Sequence, residues 1–187
     1  MSGGATTKHP VAARGHITLI LGGTRSGKSA VAEGLAAAAG RHVVYLATGP
    51  DGTDPPDVDM VERIDRHRAR RPHTWSTVEC GARLADALDA AGDAVVLVDS
   101  LGTWLAAHHD FRSDVPALVD ALLRRTAPTV IVSEEIGMSV HPTTALGRAF
   151  VDALGSLNQQ IAAVSAAVGL VVAGRTLWMP EAEAGPR

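Results

Sequence analysis

The residues of this chain best suited to chemistry are Gly22-Gly23-Thr24-Arg25-Ser26-Gly27-Lys28-Ser29, preceded by the apolar run His16-Ile17-Thr18-Leu19-Ile20-Leu21 and followed by an Ala-rich segment. The spacing is G-x-x-x-x-G-K-[ST] with a strand before it and a helix after it, the context a phosphate-binding loop requires. Glycines let the backbone curl until successive N–H groups point inward at a phosphate chain, and the following helix adds its positive N-terminal end. Lys28 then reaches the β and γ phosphates and Ser29 a Mg²⁺ ion, so the chain is expected to bind a nucleoside triphosphate. The plainer alternative is a glycine-rich turn that holds no nucleotide. The full eight-residue pattern between strand and helix argues against it.

Two further groups accompany the loop. One is Asp57-Val58-Asp59-Met60-Val61-Glu62-Arg63-Ile64-Asp65-Arg66-His67-Arg68, continued by Arg71-Pro72, Trp75, Thr77 and Glu79. A histidine amid arginines on a polar helix face is commonly solvated surface. Chemistry nevertheless has a use for it, since an imidazole can attack an α-phosphate and carry a nucleotidyl group while guanidiniums neutralise the phosphates. The other is Asp99, which ends the apolar run Ala94-Val95-Val96-Leu97-Val98 where strands of parallel sheets meet their ligands. That placement makes Asp99 the candidate metal-side acid beside Ser29, with a surface cap as its alternative.

The elements that must position these groups follow from periodicity. Val43–Ala47 reads as a second buried strand ending at Thr48-Gly49, and Pro50 to Pro56 as loop. Asp57 to Arg71 is predicted to be a helix with acidic residues early and basic residues late, stopped by Pro72. Trp75–Glu79 suggests a short edge strand, Ala82–Ala91 a helix closed by Gly92, and Leu101–His109 and Val115–Arg125 two helices with an irregular joint. Thr129–Ser133 is another apolar strand, with Glu134 onward as loop. Between Pro142 and Val168, Leu146, Phe150, Leu154, Leu157, Ile161 and Val164 mark a long amphipathic helix. Gly169 is expected to end it, leaving Leu170–Ala173 as the last core strand. Apolar strands alternating with helices call for an α/β fold, a mainly parallel sheet covered on both faces.

Composition sets bounds on this reading. The chain has 187 residues, 46% of them hydrophobic, enough for one domain with a sizeable core, expected over 16–179 between tails at 1–15 and 180–187. A net charge of −3, with arginines spread along the chain, gives no reason to expect a nucleic-acid partner. The single cysteine, Cys80, cannot form an intrachain disulfide and is expected to serve packing, in a reducing compartment. No run reaches the roughly 18 apolar residues of a membrane span, and the N-terminus lacks an apolar signal core, so the expected location is the cytoplasm.

The motifs in order carry a more specific signal. To the phosphate loop are added Tyr45-Leu46-Ala47-Thr48, Met60-x-x-Arg63-Ile64-x-x-His67-Arg68, Arg71-Pro72-x-x-Trp75-x-Thr77-x-Glu79 and Leu97-Val98-Asp99-Ser100-Leu101. Ser133-Glu134-Glu135-Ile136-Gly137, Leu157-Asn158-Gln159 and Val171-Val172-Ala173-Gly174 follow. Over roughly residues 17 to 178 the chain resembles the bifunctional adenosylcobinamide kinase/adenosylcobinamide-phosphate guanylyltransferase family of cobalamin biosynthesis. The resemblance implies a P-loop NTPase-type, RecA-like three-layer sandwich. It implies phosphorylation of the aminopropanol hydroxyl of adenosylcobinamide by GTP, with ATP a possible donor. Transfer of GMP from GTP onto that phosphate follows, through a guanylylated histidine, with Mg²⁺ as the metal.

By position in R-I-x-x-H-R, His67 resembles that histidine. The family pattern also implies nucleotide contacts at Ala47, Thr48, Gly49, Arg68, Ala69, Arg70, Arg71, Glu79 and Asp99, besides the phosphate loop, and a small homo-oligomer. Three positions depart from the pattern: Thr24 stands for Ala, Asp59 for Glu, and Glu134 for Asn, which brings a charge near the expected phosphates. Two other readings stay open at this point. One retains only one of the two activities. The other is a regulatory GTP-binding protein, which calls for an N-K-x-D-like guanine motif that the sequence lacks.

Overall fold

The computed structural model describes residues 16–39, 42–49, 72–138, 140 and 142–180. The helix expected over 57–71, and with it His67, Arg68, Ala69, Arg70 and Arg71, lies outside the described residues. Strands β1 (Ile17–Gly22), β2 (Val43–Ala47), β3 (Ser76–Glu79), β4 (Val95–Asp99), β5 (Thr129–Glu134), β6 (Ala167–Val172) and β7 (Arg175–Met179) form one sheet in the order β3-β2-β4-β5-β1-β6-β7. All neighbours are parallel except the β6–β7 hairpin. The helices are α1 (Lys28–Ala38), α2 (Leu84–Ala90), α3 (Leu101–Ala106), α4 (Val115–Arg124) and α5 (Ala145–Val164).

The central strands are apolar throughout because both faces of the sheet are covered. Alternation then sorts their side chains. Leu19 of β1, Leu46 of β2, Val96 and Val98 of β4 and Ile131 of β5 join Leu84, Leu88, Leu101, Leu105, Leu118, Leu122, Leu154, Leu157 and Ile161 from α2 to α5 in one core. Ile20, Tyr45, Leu97, Val130 and Val132 point the other way and meet Ala32 and Ala36 of α1. Side chains start the later helices as propensity dictates: Asp114 Oδ1 accepts from the Ala117 amide at 2.9 Å, and Thr144 Oγ1 from the Gly147 amide at 3.0 Å. Cys80 is buried and donates its thiol to the Ala47 carbonyl at 3.3 Å.

The edge strand at 76–79, the α2 stop at Gly92 and the broken joint between α3 and α4 follow the periodicity. The C-terminal part does not. Gly169, expected to end the long helix, sits inside β6, and the helix stops at Val164. A Cβ at Gly169 would lie 2.9 Å from Thr176 Cγ2 and 3.1 Å from the Trp178 ring, so close packing by β7 requires glycine there. Leu170–Ala173 is not the last strand either, because a two-residue turn at Ala173 (φ 51°) and Gly174 (φ 76°) leads into β7. Two successive positive φ values match the twist of a tight hairpin.

Candidate active site

The carboxyl ends of five adjacent parallel strands converge along one edge of the sheet. Register places Ala47 beside both Glu79 and Asp99, and Gly22 beside Glu134. Gly22, Ala47, Glu79, Asp99 and Glu134 therefore line the end of the sheet where α/β proteins hold their ligands.

The phosphate loop turns at Arg25 (φ 58°) and Gly27 (φ 95°). Ser26 N–H donates to Gly23 O at 3.2 Å, and the Lys28 amide donates to Ser26 Oγ at 3.4 Å. Gly27 caps α1 and has no side chain to satisfy the amides of the first turn, which suits a helix start that receives an anion. Gly23, Thr24 and Arg25 are exposed, Ser26 and Gly27 half-buried, and Lys28 and Ser29 buried. Lys28 donates from Nζ to Gly23 O at 3.3 Å, and its ammonium stands 3.7 Å from Glu134 Oε1.

Glu134 is the contact the sequence left unplaced. Its carboxylate accepts from Ser100 Oγ at 2.9 and 3.0 Å and from the Gly102 amide at 3.1 Å. Ser100 is also the N-cap of α3, with a capping box to Thr103. Asp99, the residue before it, is half-buried at the end of β4 and accepts the Tyr45 phenol at 3.0 Å on Oδ2. Thr48 is fully buried: its hydroxyl donates to Ser100 O at 2.6 Å and accepts from the Ser100 amide at 2.9 Å, tying β2 to the start of α3. Gly49 is half-buried beside it, and Glu79 is exposed at the end of the edge strand.

Loop, buried lysine and strand-end carboxylates fit a nucleotide and its metal. Mg²⁺ is typically held by one or two carboxylates together with substrate phosphates, and Asp99 at the end of β4 is a carboxylate of that kind. Tyr45 and Ser100 stand in the motifs without a role, and Gly102 in none, because each matters through a partner on another strand. Glu134 showed itself only as a charged residue at an expected phosphate site.

Fold and site together define a P-loop nucleotide-binding protein. An ATPase of the type III secretion system of pathogenic bacteria shares this architecture, with a TM-score of 0.50 at 10% identity over 84% of this chain and 51% of that one. The family model CobU, described as cobinamide kinase / cobinamide phosphate guanyltransferase, matches residues 18–179, and the chain belongs to that family. It is 41% identical over 166 residues to the bifunctional adenosylcobalamin biosynthesis protein CobP of Pseudomonas aeruginosa, covering 83% of this chain and 92% of that protein. It is 33% identical over 177 residues to CobU of Escherichia coli K12, covering 83% and 95%.

Proposed function

We propose that the protein phosphorylates the aminopropanol hydroxyl of adenosylcobinamide with a nucleoside triphosphate, then transfers GMP from GTP to adenosylcobinamide phosphate with release of pyrophosphate. The observation that carries this reading is the buried Lys28, held at the mouth of a left-handed glycine turn among the carboxyl ends of the strands, in a chain of the CobU family. Both donors present a triphosphate, and the sequence has one loop of this pattern, so the same loop serves both half-reactions.

In this reading Gly22 to Ser29 cradle the phosphates, Lys28 neutralises charge developing on them, and Ser29 and Asp99 hold Mg²⁺, which supplies further charge neutralisation when bound. Ala47, Gly49, Arg68, Ala69, Arg70, Arg71 and Glu79 contribute nucleotide contacts, and buried Thr48 acts behind them by holding β2 to the start of α3. His67 attacks the α-phosphorus of GTP, carries the guanylyl group and passes it to the corrinoid phosphate. Its support is the position in Arg63-Ile64-x-x-His67-Arg68 and the family match that spans it.

The test is incubation of the protein with adenosylcobinamide and GTP labelled at either the α or the γ phosphate. Label should pass from the γ position to the corrinoid, and from the α position first to protein and then to the corrinoid product. Release of γ label only as inorganic phosphate, with no α label on protein or corrinoid, would overturn the reading.

A further inference from the structure

The phosphate site contains a carboxylate that neither the loop nor the metal requires. Glu134 ends β5, the strand beside β1, and stands level with Gly22 at the start of the loop. Its carboxylate is 3.7 Å from Lys28 Nζ, so a phosphate bound by that lysine arrives next to it. Two anions in such proximity repel unless a proton or a metal lies between them.

The surrounding structure holds Glu134 there deliberately. Ser100 Oγ and the Gly102 amide both donate to the carboxylate, Asn158 Nδ2 donates to the Glu134 carbonyl at 3.0 Å, and the Glu135 amide donates to Gly22 O at 3.1 Å. Side chain and backbone are thus fixed separately. Gly102 leaves room for it, since a Cβ at that position would overlap Glu134 Oε2. The Glu134 side chain keeps 23% of its exposure, whereas that of Lys28 keeps 4%, so the glutamate is open to solvent and the lysine nearly closed to it.

We propose that Glu134 is the general base of the phosphoryl-transfer half-reaction. The inference rests on the kinase reading above. An acceptor hydroxyl enters on the open side of the carboxylate. Its oxygen forms a bond to the γ-phosphorus as the bond from that phosphorus to the β,γ-bridging oxygen breaks. The hydroxyl proton passes to Glu134, and the nucleoside diphosphate leaves with the electron pair. Glu134 then returns the proton to solvent. The strand-end acids have different partners, Asp99 the Tyr45 phenol and Glu134 the Ser100 hydroxyl beside Lys28, and in this reading Asp99 is left to the metal and Glu134 to the acceptor.

Guanylyl transfer to an imidazole and then to a phosphate dianion has no hydroxyl proton to remove. Glu134→Gln keeps the size and one of the two acceptor oxygens but not the base. It should lower kcat for transfer of γ label from GTP to adenosylcobinamide by about 100-fold or more, the range of a general base, with KM for GTP changed by less than about threefold. Labelling of the protein from α-labelled GTP should fall by less than about tenfold. Glu134→Asp, which keeps a carboxylate at shorter reach, should recover part of the lost kcat. A Glu134→Gln protein that phosphorylates adenosylcobinamide at near wild-type kcat overturns the proposal. So does a parallel loss of both half-reactions with a raised KM for GTP, which marks Glu134 as a support for Lys28. If the wild type labels no corrinoid, the kinase reading fails first. Slow γ-phosphate release to water, compared between wild type and Glu134→Gln, then decides the role of Glu134 by itself.

Discussion

The amide of Gly174 donates a hydrogen bond to the carbonyl of Ser26 at 2.8 Å, so the turn of the C-terminal hairpin is fastened to the phosphate loop. The two backbones are close enough that a Cβ on Gly27 would lie 3.2 Å from Gly174 Cα. Gly174 holds φ 76°, a region that a β-branched residue occupies only under strain. Gly174→Val should therefore destabilise the fold by about 1–3 kcal/mol and weaken GTP binding, measured by thermal melts and by titration with a fluorescent GTP analogue. Unchanged nucleotide affinity in a destabilised variant would show that the loop holds its shape without the hairpin.

Lys28→Ala should abolish both half-reactions. The lysine side chain is nearly inaccessible, so removing it takes a desolvated charge from the phosphates and leaves Glu134 without its cation. The loss should amount to several kcal/mol of transition-state stabilisation, on the order of a thousandfold in kcat/KM. Near-normal guanylylation by this variant would place the second half-reaction at a separate site.

Asp99→Asn should raise the Mg²⁺ concentration needed for half-maximal activity by about tenfold or more, as expected when a hard cation loses a carboxylate. Tyr45→Phe, which removes the hydroxyl that donates to Asp99 Oδ2, should move the same titration by a smaller amount. Metal titrations at saturating GTP measure both. An unmoved curve for Asp99→Asn rules the residue out as the metal-side acid.

Adjacent arginines should differ sharply. Arg125 is 6% exposed and donates to the carbonyls of Leu88, Gly92 and Ala94 and to Thr129 Oγ1, and burial lowers its guanidinium from the ordinary value. Arg125→Met leaves those acceptors buried without a donor, at a cost of about 3 kcal/mol or more and a fall in Tm on the order of 6–12 °C. Arg124 pairs with Asp89 at 2.7 Å with both side chains about half exposed, where such pairs contribute little. Arg124→Ala should leave Tm almost unchanged in the same calorimetric scan.

His67→Ala should remove the protein-bound label derived from α-labelled GTP while GTP binding survives. In the wild type the adduct should be acid-labile and base-stable, as a phosphorus–nitrogen bond to imidazole is. Persistent labelling of His67→Ala, lost instead on substitution of His73, the next histidine along the chain and just beyond Pro72, would transfer the role to that residue.

The parallel strands and the phosphate loop were legible because a fully buried strand is apolar along its whole length and the loop motif is contiguous. β7 was not. Arg175-Thr176-Leu177-Trp178-Met179 alternates between outer and inner positions, as an edge strand does, but Ala173 opens its turn where Asn, Asp or Gly would give the usual hairpin signal. Gly169 misled for a related reason: glycine marks helix ends and close strand contacts alike, and only the ring of Trp178 distinguishes them. The place of Asp99 at a strand end could be read from the sequence. The pairing of Lys28 with Glu134 could not, because those residues are 106 positions apart and meet only once β5 lies beside β1.

Sheet order also bears on how the chain is made. β1 is flanked by β5 and β6, which begin at Thr129 and Ala167, so one hydrogen-bonding edge of the strand that carries the phosphate loop stays open until Thr129, and the other until Ala167, has been synthesised. A nascent chain that has emerged only through β4 contains every residue of the glycine-rich motif and none of the strands that border it. Pairing of such sequence separation slows folding, and the open apolar edge is a template for association with other chains in the interval. Nucleotide bound by the loop has little to hold in that intermediate, since the lysine's carboxylate partner and the hairpin that fastens the loop both follow β4 in the chain.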